Sequence, residues 1–431
     1  MNRLSQRKNP RLARLFRPAV PIAAFVLVLI ALLLPGSMFA GDDPGQPTGT
    51  TDIFLPLVTY QLPPTPTPTP PPPPVADRVA YGATTYPITR YPGINDLRAG
   101  WFVDWAARAQ PAAPPGTEYV QMVRVHQKLA CGDAYNADRV NCPYAVPYDY
   151  RVSPSRSTIV AAAQANPGSL WLIGNEMDRR DWCLAWQSFP WTCVPGTASI
   201  GQDEMLPEVY AEAYHELYNL IKGADPTAQV AIGGVIQPTP LRLQYLDIVW
   251  NSYQSKYGTT MPVDVWNVHN FIMKEYLNDF GASIPPGLPG NPQVGVTYST
   301  DWTHVDMGIF NEQIRRFRQW MKDKGQQNKP LIVSEYGVLY FHDGIGALSV
   351  TKQFMQNTFN YFLNTKDCSI GLPSDECRLV QRWAWYSLDS PASSFGPNQN
   401  AVIFRPDGTR TELYDVFKSF VDSNFNALQY P

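Results

Sequence analysis

Two glutamates, Glu176 and Glu335, stand where a carboxylate is least expected, at the ends of continuous apolar runs. The first run is Trp171-Leu172-Ile173-Gly174-Asn175-Glu176, and the second is Leu331-Ile332-Val333-Ser334-Glu335-Tyr336-Gly337. An unbroken apolar run suits a parallel strand covered on both faces. A carboxylate closing such a strand is costly to bury, so it belongs at a solvated rim. Two strands that each deliver one Glu to the same rim make a paired-carboxylate site.

Paired carboxylates at a rim suit the cleavage of a glycosidic bond. That reaction needs one group to protonate the leaving oxygen and a second at the anomeric carbon, about 5 Å away in the retaining case. The donor must stay protonated near neutrality, which burial and a neighbouring negative charge both favour. Asn175 is expected to bond the hydroxyl beside the anomeric carbon. The plain alternative for Glu176 is a rim carboxylate paired with Arg179 or Arg180. A Ser-His-Asp triad has no support, because no GxSxG occurs.

The elements that must position these groups can be read from periodicity. Strands are expected at 78–82, 100–105, 119–125, 168–176, 229–235, 263–269, 329–335 and 379–388. Helical spacing lies between them. Leu243, Leu246, Trp250 and Tyr253 mark one helix, and Phe310, Ile314, Phe317 and Met321 another. A helix over 206–222 is stopped by Gly223 and Pro226. Phe354, Thr358 and Phe362 mark a further helix, and Leu413, Val416, Phe417 and Phe420 the closing one. The expected fold is therefore α/β, a (β/α)₈ TIM barrel with long disulfide-stapled loops on its catalytic face. The first two units are the least clear. An open doubly wound sheet would want a GxGxxG after an early strand, and none is found.

Long insertions follow the third, fourth and sixth strands, at 127–153, 177–205 and 271–303, on the side where a barrel carries its site. The first holds Tyr135, Tyr144, Tyr148 and Tyr150, and the second Trp182, Trp186 and Trp191. The 6 cysteines fall into three short-range pairs, Cys131 with Cys142, Cys183 with Cys193, and Cys368 with Cys377. Without a CxxC, local disulfides in an oxidising compartment are the expected reading, with no metal and no cofactor. The third pair precedes the last strand and is expected at the opposite end.

Residues 1–18 are basic, and 19–40 hold an apolar run ending in Pro35-Gly36-Ser37. That pattern is an export signal, either cleaved or kept as a membrane anchor. Residues 41–77 form a Pro/Thr-rich extracellular linker, since Pro63 to Pro74 contains only Pro and Thr and favours an extended spacer. The globular domain is expected over 78–431, outside the cell. Net charge is −3, yet the first forty residues carry six basic side chains and no acidic one. The acidic remainder argues against nucleic acid as a partner. Hydrophobic residues make up 44% of the chain, enough for a large core, and 12 Trp and 23 Tyr would suit a protein that stacks sugar rings.

Gly174-Asn175-Glu176 ending one strand and Ser334-Glu335-Tyr336-Gly337 ending another resemble the clan A retaining glycoside hydrolases, the cellulase-like groups above all. The resemblance spans roughly residues 78–420 in strand order. It implies that Glu176 is the acid/base and Glu335 the nucleophile. It further implies an aromatic platform at the last strand, Trp383 or Trp385, and a sixth-strand partner for the nucleophile, His269. A Tyr common two residues later in the clan is here Phe271. Arg124, His126 and Tyr336 complete the expected substrate-binding set. The partner so implied is an oligosaccharide or polysaccharide. A non-catalytic, cell-surface barrel that binds polysaccharide is the competing reading.

Overall fold

The computed structural model describes residues 74–183, 199–277, 281–298, 300–340, 344–389 and 399–430. They lie within a unit spanning Thr69–Pro431. The apolar run at 19–40 and nearly all of the linker fall outside the described residues. Among the described residues, no helix is long and apolar enough to cross a membrane.

In chain order the strands and helices are β1 (Ala76–Gly82), β2 (Ala99–Val103), β3 (Glu118–Tyr119), β4 (Gln121–Gln127), β5 (Tyr150–Ser153), α1 (Arg156–Ala165), β6 (Leu170–Asn175), β7 (Trp182–Cys183), β8 (Ser199–Ile200), α2 (Pro207–Ala224), β9 (Gln229–Gly234), α3 (Pro240–Tyr257), β10 (Trp266–His269), α4 (Met307–Asp323), β11 (Leu331–Tyr336), α5 (Leu348–Asn364), β12 (Arg382–Tyr386) and α6 (Glu412–Asn424). Each expected strand coincides with one of these, the third being split at Val120 into β3 and β4. The first two strand connections carry short 3₁₀ turns or loop and no α-helix. Helix α1 and strand β5 were not foreseen: β5 pairs antiparallel with β4 inside the first long insertion.

The sheet order is β10-β11-β12-β1-β2-β3 in a six-stranded sheet and β5-β4-β6-β9 in a second. All pairings in the six-stranded sheet are parallel. So are β4 with β6 and β6 with β9. Two parallel bridges, Ala231 with Val265 and Val235 with Val268, join β9 to the β10 segment. On the other flank, Val120 donates its N–H to Phe102 O at 2.9 Å, between the β3 and β4 halves.

Two apolar clusters fill the interior. The larger lies between the strands and the helices. The smaller takes Ala80, Trp101, Val103, Val120, Met122, Leu170, Leu172, Ala231, Val265, Ile332 and Ala384, with Trp105 against it. These residues come from successive parallel strands, so the strands bury both faces, as their apolar runs require.

Local signals fix the helix ends. Pro207 and Pro240 open α2 and α3, where a missing N–H costs nothing. Asp306 caps α4 by accepting from Gly308 and Ile309 N–H. Gly258, left-handed at φ 68°, closes α3. Helix α2 runs through Gly223 to Ala224, beyond the expected stop. Asp225 ends it by accepting from Gly168 and Thr227 N–H.

Candidate active site

The carboxylates of Glu176 and Glu335 converge with His269. One oxygen from each Glu and one imidazole nitrogen all lie within 4.8 Å of one another. Each arrives from the end of a strand, and in two of the three cases the regular strand geometry breaks to deliver it.

On β6, Leu170 and Leu172 face the smaller cluster, whereas Trp171 and Ile173 face the helices. Gly174 then turns left-handed at φ 89° and Glu176 at φ 53°. The second is strained for a residue with a side chain, at a cost of order 1–3 kcal/mol. On β11, Val268 pairs with Val333 but His269 pairs with Glu335, so one residue is extra. This bulge breaks the alternation and turns Glu335 to the rim. It also sends Tyr336 outward: fully buried, it packs against Phe310, Phe362 and Trp385. Tyr336 is thus a core residue, remote from any ligand position.

Glu176 is buried, with Oε2 accepting from Arg179 Nη1 at 3.0 Å and Oε1 facing His269 Nδ1 at 3.1 Å. Burial alone would raise its pKa. The Arg179 charge and the His269 contact outweigh burial and hold it well below the usual carboxylate range. Glu335 is 9% exposed and accepts one described hydrogen bond, from the Trp105 indole N–H at 3.3 Å. Burial pushes it up to about 7; His269 opposes that rise and the Glu176 charge adds to it. For His269, burial disfavours the cation, but Glu335 and Glu176 outweigh it and raise the imidazole above its ordinary value.

Asn175 donates Nδ2 to Gln202 Oε1 at 3.0 Å, while its buried Oδ1 has no partner among the described residues. An orphaned acceptor next to Glu176 is where a ligand hydroxyl would be welcome. Arg124 shares this flank, bonding Asp203 at 2.7 Å and Gln202 at 3.1 Å. Asp203 in turn accepts the backbone N–H groups of Val125 and Asn175, tying β4 to β6. His126 lies in the loop scaffold instead: its Nε2 meets Asp181 at 3.1 Å and its Nδ1 meets Gln127 O at 2.7 Å.

Trp383 and Trp385 do share one face, as alternation requires. That face is the helix side. Both are fully buried; Trp383 stacks on Phe362 at 5.3 Å and Trp385 meets Tyr336 at 5.5 Å. Neither reaches the rim. The opposite parity, Ala384 and then Tyr386, carries the aromatic that does. Tyr386 packs edge-on against Trp105 at 5.7 Å and against Phe271 at 6.3 Å. Trp105 was also missed, although Trp101, Val103 and Trp105 continue one alternation past the end of β2.

The loops are braced from below. Arg139 bridges Asp181 at 3.1 Å and Glu204, whose carboxylate also accepts from Tyr144 and Asp181 N–H. Cys131 and Cys142 form a disulfide in the same loop. Cys368 and Cys377 form a second. The Cys183–Cys193 pairing, Trp186 and Trp191 fall outside the described residues.

No protein-family model and no curated protein matches the chain. Among solved structures, it is similar to a family GH128 exo-β-1,3-glucanase from Aureobasidium namibiae, with 11% identity over 80% of this chain and 96% of that one, at a TM-score of 0.43. It is also similar to a family 39 glycoside hydrolase from Bacteroides cellulosilyticus, with 11% identity over 80% of this chain and 63% of that one, at a TM-score of 0.41. A third is a β-1,3-glucanase and allergen of Cryptomeria japonica pollen, with 10% identity over 77% and 97% of the two chains and a TM-score of 0.40.

Proposed function

We propose that the protein is an exported retaining glycoside hydrolase acting on a β-linked glycan, with Glu176 as acid/base and Glu335 as nucleophile. One observation carries this reading: two buried carboxylates from separate strands, with oxygens within 4.8 Å of each other at one rim. That spacing suits direct attack by one carboxylate and leaves no room for a water between them. The aromatic frame of Trp105, Tyr386 and Phe271 supplies a face for a sugar ring. The free Asn175 Oδ1 supplies an acceptor for its hydroxyl.

In this reading the two sheets belong to one closed (β/α)₈ barrel. The bridges at Ala231 and Val235 support closure on one flank, the Val120 contact supports it on the other, and the cluster drawn from β1, β2, β4, β6, β9, β11, β12 and the approach to β10 supports a filled interior. Export rests on the basic head and apolar run at 1–40, and the two disulfides suit an oxidising compartment.

The test is a screen of the secreted domain against β-glucans, mannans, xylans and galactans, with product stereochemistry read by NMR. Hydrolysis with retention is expected. Inversion would refute the double displacement, and glycan binding with no released sugar would favour a binding-only protein.

A further inference from the structure

The two glutamates hold a third group between them. His269 Nδ1 lies 3.1 Å from Glu176 Oε1, and its Nε2 lies 3.8 Å from Glu335 Oε2. The ring is 1% exposed. It is held in place from β9, where a Cβ on Gly234 would overlap its Cδ2–Nε2 edge. Its own backbone N–H donates to Val235 O at 2.9 Å. Phe271 stands edge-on to it at 6.3 Å. Nδ1 is therefore engaged by Glu176, Nε2 faces Glu335 just beyond hydrogen-bond reach, and Gly234 lies close against one edge of the ring.

We propose that His269 passes a proton between Glu335 and Glu176, acting through those two groups as a positioning residue and not on the substrate. This rests on the glycosidase reading. Arg179 and the imidazole N–H favour the anion of Glu176, while Glu335 sits in an aromatic frame that favours its neutral form. Catalysis asks for the reverse: a protonated Glu176 and an ionised Glu335. The two states differ by one relayed proton. Rotation of the Glu335 carboxyl closes the 3.8 Å gap. Its O–H bond breaks as Nε2–H forms, and Nδ1–H breaks as an O–H forms on Glu176. The imidazole is neutral before and after, with its tautomer exchanged, and the net charge of the trio is unchanged.

The groups facing the trio decide when this happens. Arg179, Arg124 and Asp178 lie on the Glu176 side, and Trp105 and Tyr386 on the Glu335 side. Arg179 is the brake. Its guanidinium covers the Trp182 ring at 4.5 Å and donates to Gly281 O at 3.1 Å. A sugar that draws it from Glu176 removes the charge holding that carboxylate ionised.

The experiment compares aryl glycosides of the sugar found by the screen. A 2,4-dinitrophenyl group leaves without an acid, and a phenol does not. At neutral pH His269→Gln is expected to lose roughly 100-fold in kcat/KM on both glycosides, because both need an ionised Glu335. Raising the pH lets that proton leave to solvent, which should bring the dinitrophenyl rate to within a few-fold of native and leave the phenyl rate low. Gly234→Ala, which displaces the ring, should show the same split. Losses on the two substrates that do not separate as pH rises would reduce His269 to a structural role and overturn the proposal. An activity-free readout separates this from failure of the glycosidase reading. The ¹⁵N shifts of His269 should change at Nε2, with Nδ1 staying protonated, when Glu335 becomes Gln. An Nε2 signal indifferent to Glu335 would equally refute the relay.

Discussion

Asp375 and Glu335 are both buried carboxylates, placed at opposite ends of the strands. Asp375 meets the start of β1, where it accepts two hydrogen bonds from Arg78 at 2.6 and 2.8 Å, one from Arg378 at 3.0 Å and one from Gln381 at 3.2 Å. Burial would raise it, but Arg78 prevails and holds it below its ordinary value. Glu335, at the other end, accepts a single indole N–H among the described residues and is pushed up. The saturated carboxylate fastens the fold, and the under-served one is left free to react. Cys368–Cys377 lies beside the first, as its place before β12 led one to expect.

The sharpest way to break this contrast is Glu335→Ala. If Glu335 is the nucleophile, hydrolysis should fall by at least about 10⁴-fold while the thermal melt is kept. Surviving activity would remove Glu335 from the chemistry. Arg78→Met is the counterpart at the far end. It strands Asp375 and should cost about 3–5 kcal/mol in denaturant unfolding, with kcat unchanged. A loss of stability below 1 kcal/mol would mean that Asp375 is not held by that pair.

The pH dependence of stability offers a third test. Glu335 keeps its proton up to about 7 in the folded chain but ionises earlier when unfolded. The folded state then binds more protons, so this group lowers stability as pH rises through that window. Glu335→Gln should therefore be about 1–3 kcal/mol more stable than the native chain at pH 8, with the gain fading toward pH 4. A gain that does not vary with pH would contradict the assignment. The smallest effect is expected from Trp105→Phe. Loss of the indole N–H raises Glu335 further, moves the alkaline limb of kcat/KM, where the shared proton is lost, to higher pH, and lowers the neutral rate about tenfold by making the relay harder. An unmoved alkaline limb would show that the indole contact is incidental.

The parallel strands and most helices were legible because apolar runs and 3.6-residue spacing survive in any context. The two glutamates were legible because a carboxylate ending an apolar run has few bland explanations. What escaped was parity. Trp383 and Trp385 were rightly placed on one face, yet nothing local says which face meets the helices. Tyr336 was misplaced because the β11 bulge cannot be seen in an apolar run. Trp105 closes the expected second strand, yet it lies past the end of β2 in a left-handed conformation, φ 56°, and nothing in the alternation marked it as a site residue. His126 fell to a partner, Asp181, that lies 55 positions away.

The extra residue in β11 has a consequence for how this site could be lost. Whether Glu335 or Tyr336 looks toward the rim depends on a count of residues, not on their chemistry. Adding one residue between Val333 and Glu335, with the bulge kept, would move both side chains on by one place and exchange them. The acid would be driven among the helices and the phenol set in its place, with every apolar contact upstream intact. Drift by substitution leaves that phase untouched, whereas a single in-frame codon gain would abolish it in one step.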